Sequence, residues 1–205
     1  ACALQVEALA LLNVSTDRAL PLAAGYAAEL DADQLRFLRQ RFERVNKEFR
    51  DEFLQEDLQE RRRENVKRTV ERAERLYGRL DDAQAARVAE RLAGSPFNPE
   101  LWLAERVARQ QDLLALLQSA SVRDNGTPTP EVRSRLQAAL RTLADQVLKS
   151  PRPAYRDYQQ RLTAYNCKFF SQLHAETSAE QRQRALDNVK GWQDDLRALA
   201  GQGAR

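Results

Sequence analysis

The chain has 205 residues, of which 42% are hydrophobic and 31% charged, with only 7 Gly and 7 Pro, and its regularly spaced apolar residues argue against a disordered protein. Its 33 basic and 30 acidic residues leave a formal net charge of +3, whereas polyanion-binding proteins usually have a more one-sided charge. No run of about 18 apolar residues indicates a membrane span, and the start "ACALQVEALALLNVSTD" lacks the basic region of a signal peptide.

The sequence contains no methionine, although a translated gene product begins with one. We therefore expect a processed or truncated piece, from which any targeting segment has been removed. The missing segment leaves the compartment open.

The first predicted helix runs from about Leu4 to Ala28, and Pro21 should bend or divide it. A second helical segment begins near Leu35 and ends at Gly78, which suits a left-handed helix end. Its apolar residues recur at spacings of three and four, which is typical of one helix face. They start with Leu35, Leu38, Phe42, Val45 and Phe49. The phase slips over 54–58, which predicts a break or kink there.

Three short stretches, "LDADQ" (30–34), "LDDAQ" (80–84) and "TSAEQ" (177–181), resemble one another. In the first two, an aspartate precedes a glutamine by three residues, which predicts a capping box at a helix start. In the third we assign the same roles to Thr177 and Glu180. We interpret all three as helix starts; a functional motif is the minority alternative, because similar stretches recur in small helical periplasmic chaperones.

The rest of the chain is divided by "GSPFNP" (94–99), by the loop "SVRDNGTPTP" (121–130) and by "SPRP" (150–153). Asn98 and Thr129 are predicted caps, each followed by a proline in the first helical turn. The last helix should run from Ser178 to about Ala200. No stretch alternates as strands do. We predict an all-α multi-helix bundle of about seven or eight helices, with long amphipathic antiparallel helices. It should form one domain over 1–200, with a possible sub-boundary at 121–130 and a flexible tail at 201–205.

Four phenylalanines precede the predicted break. Phe42, Phe49 and Phe53 belong to the apolar stripe and should pack in the core. Phe37 lies off the stripe, so it either widens the stripe or lines a groove for a partner. An open apolar face would suit a chaperone or a docking module.

No catalytic arrangement is visible in the sequence. His174 is the sole histidine and is better interpreted as a residue near a helix end than as a catalyst. Carboxylate pairs occur at predicted helix starts or on solvated faces, and no glycine-rich phosphate loop occurs. We therefore predict a protein that is not an enzyme and has no catalytic residue, metal site or cofactor.

The most charged stretch is "DLQERRRENVKRTVERAERLYGR" (57–79), which has an excess of basic residues. A possible anion-binding patch comprises Arg61, Arg62, Arg63, Lys67 and Arg68. Acidic residues at helical spacing from these bases instead favour a solvated helix face. Aromatic side chains that would stack on bases are not interleaved, so nucleic acid is not the favoured partner.

The two cysteines, Cys2 and Cys167, match no metal-binding motif. They are either two unrelated buried thiols, as in cytosolic proteins, or one disulfide formed in an oxidising compartment. Composition does not separate these alternatives.

Four stretches of the chain resemble an uncharacterised family of proteobacterial helical lipoproteins, a domain of unknown function: "ERAERLYGRLDDAQ" (71–84), "SPFNPELWLAERVARQQDLLALL" (95–117), "NCKFFSQLHAETSAEQRQRAL" (166–186) and "DDLRALA" (194–200). The resemblance covers nearly the whole chain and implies a helical fold. It also implies a lipid anchor in the full-length form and a disulfide between Cys2 and Cys167. The chain differs from the family in lacking the lipobox and an upstream helical segment.

The resulting expectation is a non-enzymatic domain of a periplasmic lipoprotein that binds a protein or another envelope component. The full-length form would be anchored to the outer or the inner membrane through a lipid that this chain lacks. A periplasmic helical chaperone and a cytosolic nucleic-acid-binding helical protein are the alternatives. The partner itself is not predicted.

Overall fold

The computed structural model describes residues 2–121 and 128–202. In this part of the chain it contains eight α-helices and no strand, so the predicted all-α multi-helix fold is confirmed. The helices are α1 (Cys2–Ala28), α2 (Ala32–Phe53), α3 (Leu58–Tyr77), α4 (Asp82–Ala93), α5 (Pro99–Ser121), α6 (Pro130–Leu148), α7 (Pro153–Ala175) and α8 (Ala179–Gln202).

The contacts within the structure divide the chain into two compact units, and the single domain over 1–200 stays a prediction. Unit 1 comprises residues 1–55 and 96–163, and unit 2 comprises 56–95 and 164–205. The divisions fall next to helix breaks or within α7, and not at the predicted sub-boundary. Residues 122–127 of that predicted loop lie outside the described residues. Of the predicted tail, 201–202 belong to α8, and 203–205 lie outside the described residues.

Unit 1 packs α1 against α5 and α6, and α2 against α5. Its core is formed by buried residues at the end of α1, the start of α2 and the facing sides of α5 and α6. These residues are Ala27, Ala28, Leu35, Leu117 and Leu136. α1 is a single helix that contains Pro21, so the proline does not divide it as was considered from the sequence.

Unit 2 packs α3 against α4 and α8, and its core also includes residues of the second half of α7. The centre of this core is Val88, which has no exposed surface, and Leu173, which is 2% exposed. The other buried members are Ala73, Tyr77, Leu80, Phe169 and Ala185. Each unit therefore has its own apolar core.

Two of the three predicted capping boxes are confirmed. At α2 the side chain of Asp31 accepts from the backbone of Gln34, and Gln34 accepts from the backbone of Asp31; Asp81 and Gln84 do the same at α4. The predicted Asn98 and Thr129 caps are also present, since their side chains accept from the N–H groups of Leu101 and Val132.

The third box is displaced by one residue from its prediction. Ser178, not Thr177, accepts from the backbone of Gln181 (3.1 Å), and Gln181, not Glu180, accepts from the backbone N–H of Ser178 (2.9 Å). The Thr177 hydroxyl instead donates to the carbonyl of His174 at the end of α7 (2.7 Å). The stretch satisfies the capping pattern in two overlapping registers, and the structure adopts the later one.

The predicted break at 54–58 separates α2 from α3. Leu54 closes α2, and the Asp57 side chain caps α3 by accepting from Gln59 (2.8 Å). At the other end of α3, Gly78 has a φ of 76°, as predicted, but its ψ of −173° is not that of a left-handed helical residue. Gly78 therefore turns the chain sharply into an extended connection towards α4.

Two further findings concern membrane spans and the cysteines. None of the helices in the described residues is long and apolar enough to cross a bilayer. Neither cysteine is free: Cys2 and Cys167, the two that the chain contains, are both disulfide-bonded.

Candidate functional site

A cavity of about 400 Å³ lies within unit 1, between α5 and α6. This volume is in the range of small-molecule sites. We call it the α5–α6 cavity. It is lined by Phe42, Trp102, Glu105, Arg106, Arg109, Gln110, Leu113, Leu143, Ala144, Gln146, Val147 and Tyr155.

Helical periodicity explains why these residues share one cavity. On α5, Trp102, Arg106, Arg109 and Leu113 follow one another at spacings of three and four, which places them on one face. α6 contributes a shorter face around Ala144. The walls are mostly apolar, with charged side chains confined to α5.

Glu105 is the most deeply buried charged residue that lines the cavity, with a side chain only 2% exposed. Its Oε1 accepts hydrogen bonds from Arg109 Nε (2.8 Å), Ser150 Oγ (2.8 Å) and Arg152 Nη1 (3.4 Å). Its Oε2 is buried and has no hydrogen-bond partner among the described residues. A buried carboxylate oxygen without a partner is costly, so the Glu105 carboxylate depends on the three hydrogen bonds that its Oε1 accepts.

The "SPRP" break supplies the second half of the Glu105 network. Ser150 has no exposed surface, and its Oγ also accepts from the backbone N–H of Arg152 (3.1 Å). Arg152 donates through Nη2 to Asp112 (2.6 Å), and this hydrogen bond raises the pKa of Arg152 above its usual value. The network thus joins the α6–α7 connection to α5 through the paired Glu105 side chain.

Two arginines of α5 have different surroundings. Arg109 is paired with Glu105, and its guanidinium lies 5.3 Å from the centre of the Tyr155 ring. Burial raises the pKa of Tyr155, so its hydroxyl stays protonated. Arg106 lies 5.5 Å from the centre of the Trp102 ring, and no carboxylate among the described residues pairs with it. Arg106 is therefore the available cation of the cavity.

The arrangement is suited to binding. The one hydroxyl held against Glu105 belongs to Ser150, which is completely buried and cannot reach a substrate. Within the described residues, no group of three or more His, Cys, Asp or Glu side chains could hold a metal ion. What the cavity offers is apolar surface and the guanidinium of Arg106, which no carboxylate among the described residues pairs with.

The predicted anion-binding patch lies on α3, which belongs to unit 2. Arg62, Arg63 and Lys67 are exposed, whereas Arg61 and Arg68 are half-buried. Arg63 lies 4.0 Å from Asp57, which caps the same helix. Three of the five basic residues are thus exposed on α3 and two are half-buried. Phosphate binding by them stays a prediction.

His174 lies in the last turn of α7, near the helix end as predicted. His174 is exposed, and its Nδ1 is hydrogen-bonded to the hydroxyl of Tyr77 (3.0 Å), a core residue of unit 2. Burial raises the pKa of Tyr77. This pair joins α7 to α3.

The phenylalanine predictions can be compared with the structure. Phe49 is buried and stacks on Trp102, with ring centres 4.7 Å apart, and Phe53 stacks on Phe49. Phe42 is half-buried at the cavity wall, while Phe37 is 65% exposed. Other large apolar side chains are exposed along α1 and along α8, where they include Val189, Trp192, Leu196 and Leu199.

Sequence reasoning missed the cavity, although a partial signal was present. Glu105 and Arg109 are four residues apart, which in a sequence indicates an ordinary exposed ion pair. Their position on the same helix face as Trp102 and Leu113 distinguishes Glu105 and Arg109 from an ordinary exposed ion pair. Charged residues on an apolar face indicate a buried polar site.

No protein-family model, no curated protein and no solved structure matches the chain.

Proposed function

We propose that the chain is a non-enzymatic binding domain of the cell envelope, and that its α5–α6 cavity takes up an envelope component. The observation that carries the proposal is an apolar cavity of about 400 Å³ whose lining includes Arg106, a guanidinium that no carboxylate among the described residues pairs with. A binding site needs apolar surface and a few well-placed polar groups, and this cavity combines both.

The location in the periplasm is supported by two observations. The sequence resembles helical proteobacterial lipoproteins, and both cysteines are disulfide-bonded. Disulfides persist in oxidising compartments such as the periplasm and are rare in the cytosol. A lipid anchor at the membrane, which the resemblance implies, is part of this proposal.

The test is uptake of a neutral apolar probe, N-phenyl-1-naphthylamine, whose fluorescence rises in an apolar site. Ala144→Phe, which places a ring in the cavity, should abolish the saturable part of the signal. Ala138→Phe is the matched control, because Ala138 is an exposed residue of the same helix that does not line the cavity. Equal signals from the two variants would place the binding elsewhere and contradict the proposal.

A periplasmic chaperone is the second candidate, favoured by the exposed apolar side chains of α1 and α8. This function predicts that near-stoichiometric amounts suppress aggregation of an unfolded client protein, and that Trp192→Ser together with Leu196→Ser weakens the effect. The cavity variant Ala144→Phe should leave this activity unchanged.

A further inference from the structure

The ligand class can be argued from the charges of the α5–α6 cavity, and this step rests on the proposed function. We propose that the cavity binds an amphipathic organic anion, with its anionic head at Arg106 and its apolar body against the walls formed by Phe42, Leu143 and Val147. Carboxylate, phosphate and sulfate heads share this chemistry.

The charge balance of the lining favours an anion. The three charged side chains that line the cavity are Glu105, Arg106 and Arg109, so positive charge exceeds negative charge. Glu105 is neutralised by Arg109 at 2.8 Å and by Arg152 at 3.4 Å. Arg106 has no such counter-ion among the described residues, and a guanidinium beside an apolar wall binds carboxylate or phosphate strongly.

A cationic ligand would meet the opposite situation. It would meet the guanidinium groups of Arg106 and Arg109 in the cavity lining, whereas Glu105, the one carboxylate of that lining, is already paired with Arg109 and Arg152. Like charges at such short range in an apolar site repel strongly.

The stacked ring of Trp102 gives Arg106 a defined position. Trp102 is held by Phe49, with the two ring planes inclined by 17°, and Arg106 lies over the Trp102 ring. A guanidinium oriented by an aromatic face loses less entropy when it forms a hydrogen bond. Arg106 is thus prepared to receive an anionic head.

The experiment compares three ligands with the same ten-carbon chain: decanoate, 1-decanol and decyltrimethylammonium, each below its aggregation concentration. Trp102 reports on binding in a Trp192→Phe background, because these are the two tryptophans of the chain. Decanoate should quench Trp102 saturably and bind about tenfold more tightly than decanol, in line with one charge-assisted hydrogen bond. The ammonium compound should bind most weakly.

Two variants test the role of Arg106. Arg106→Gln should weaken decanoate about tenfold and leave decanol unchanged, because only the charged head loses its partner. The matched control is Arg36→Gln, since Arg36 is an exposed arginine of α2 that does not line the cavity. It should change neither affinity. A titration with decyl phosphate in place of decanoate then shows whether the cavity prefers a phosphate head or a carboxylate head.

The outcomes separate the two proposals. If none of the three compounds binds, or if Ala144→Phe does not abolish binding, the proposed function fails. If all three bind equally, or if the ammonium compound binds most tightly, the cavity is a binding site but the ligand is not an anion. Retention of full decanoate affinity in Arg106→Gln would equally overturn the anion assignment. If Ala144→Phe does not fold, Val147→Phe fills the same cavity from an exposed position of α6.

Discussion

Gln84 and Gln181 each carry out two tasks with one side chain. Within their own helices, Gln84 Oε1 accepts from the backbone of Asp81 (3.0 Å), and Gln181 Oε1 accepts from that of Ser178 (2.9 Å). The two amides also face each other: Gln84 Nε2 donates to Gln181 Oε1 (2.8 Å), and Gln181 Nε2 donates to Gln84 Oε1 (2.9 Å). The starts of α4 and α8 are therefore joined by the capping residues themselves.

This pairing predicts unequal costs for the same substitution at two capping boxes. Gln84 is 5% exposed, whereas Gln34, in the α2 box, is exposed, and among the described residues no other side-chain amide is hydrogen-bonded to it. Gln84→Ala should lower the free energy of unfolding by roughly 1–3 kcal/mol, because buried partners lose their hydrogen bonds. Gln34→Ala should cost about 0.5 kcal/mol or less. Urea unfolding of both variants measures the difference.

A double-mutant cycle isolates the contact between the two amides. Combining Gln84→Ala with Gln181→Ala should give a cost smaller than the sum of the single variants, by at least about 0.5 kcal/mol. Strict additivity, or equal costs for Gln84→Ala and Gln34→Ala, would mean that the amide pair adds nothing to the caps.

The displaced third box shows what a sequence pattern leaves undecided. "TSAEQ" allows both Thr177 with Glu180 and Ser178 with Gln181, and the two choices have similar local energies. Only the later register lets Gln181 reach Gln84 and the carbonyl of Arg79 (2.9 Å). A contact almost a hundred residues away in the chain therefore selects the register, and a local pattern does not contain it.

At the scale of elements, helix bounds were largely predictable because their determinants are local. Proline, glycine and capping residues mark the starts of α2, α4, α5 and α6 within a few residues. The cavity was not predictable in the same way. Glu105 is buried because Ser150 and Arg152 approach it from another element, and no periodicity in α5 indicates that approach.

The conformation of Gly78, at the end of α3, predicts that a side chain at this position lowers the stability of the protein. Gly78 has a φ of 76°, and a Cβ atom there would lie 2.7 Å from Cδ of Arg184. Gly78→Ala should therefore lower the free energy of unfolding by about 1–3 kcal/mol, from backbone strain and from displacement of Arg184. Thermal or urea unfolding measures the loss.

A second glycine serves as the control for that change. Gly25 lies inside α1, and a Cβ atom there would meet nothing within 4 Å. Gly25→Ala should stabilise the protein by roughly 0.5–1 kcal/mol, because alanine loses less entropy in a helix. If Gly78→Ala were equally harmless, the positive φ would not be a constraint of the native chain. The double variant Gly78→Ala with Arg184→Ala removes the contact between the new Cβ atom and Arg184, so the loss of stability that remains comes from the backbone conformation.

At the scale of the whole molecule, each of the two units has its own network of charged side chains beside its apolar core. Unit 1 is joined through the charged network of Glu105, Ser150 and Arg152, and unit 2 through Glu176, which pairs with Arg87 and Arg91. The hydrogen bond from Arg91 holds the pKa of Glu176 below its usual value. Each unit thus fixes its helix ends by ionic contacts around an apolar core, and the candidate ligand site belongs to unit 1 alone.

The disulfide acts on the whole chain, because it closes a loop of about 165 residues between Cys2 and Cys167. In the chain-entropy model, such a loop restricts the unfolded state by up to roughly 5 kcal/mol, although measured values are often smaller. The variant Cys2→Ser with Cys167→Ser should therefore unfold at lower urea concentration than the oxidised protein, and dithiothreitol should shift the parent but not the variant. Thiol counting on protein isolated from the periplasm provides the second measurement. Two free thiols in that protein would contradict both the stabilisation by a disulfide and the argument for an oxidising compartment. If no free thiol is found, the stability of the chain depends on an oxidising environment.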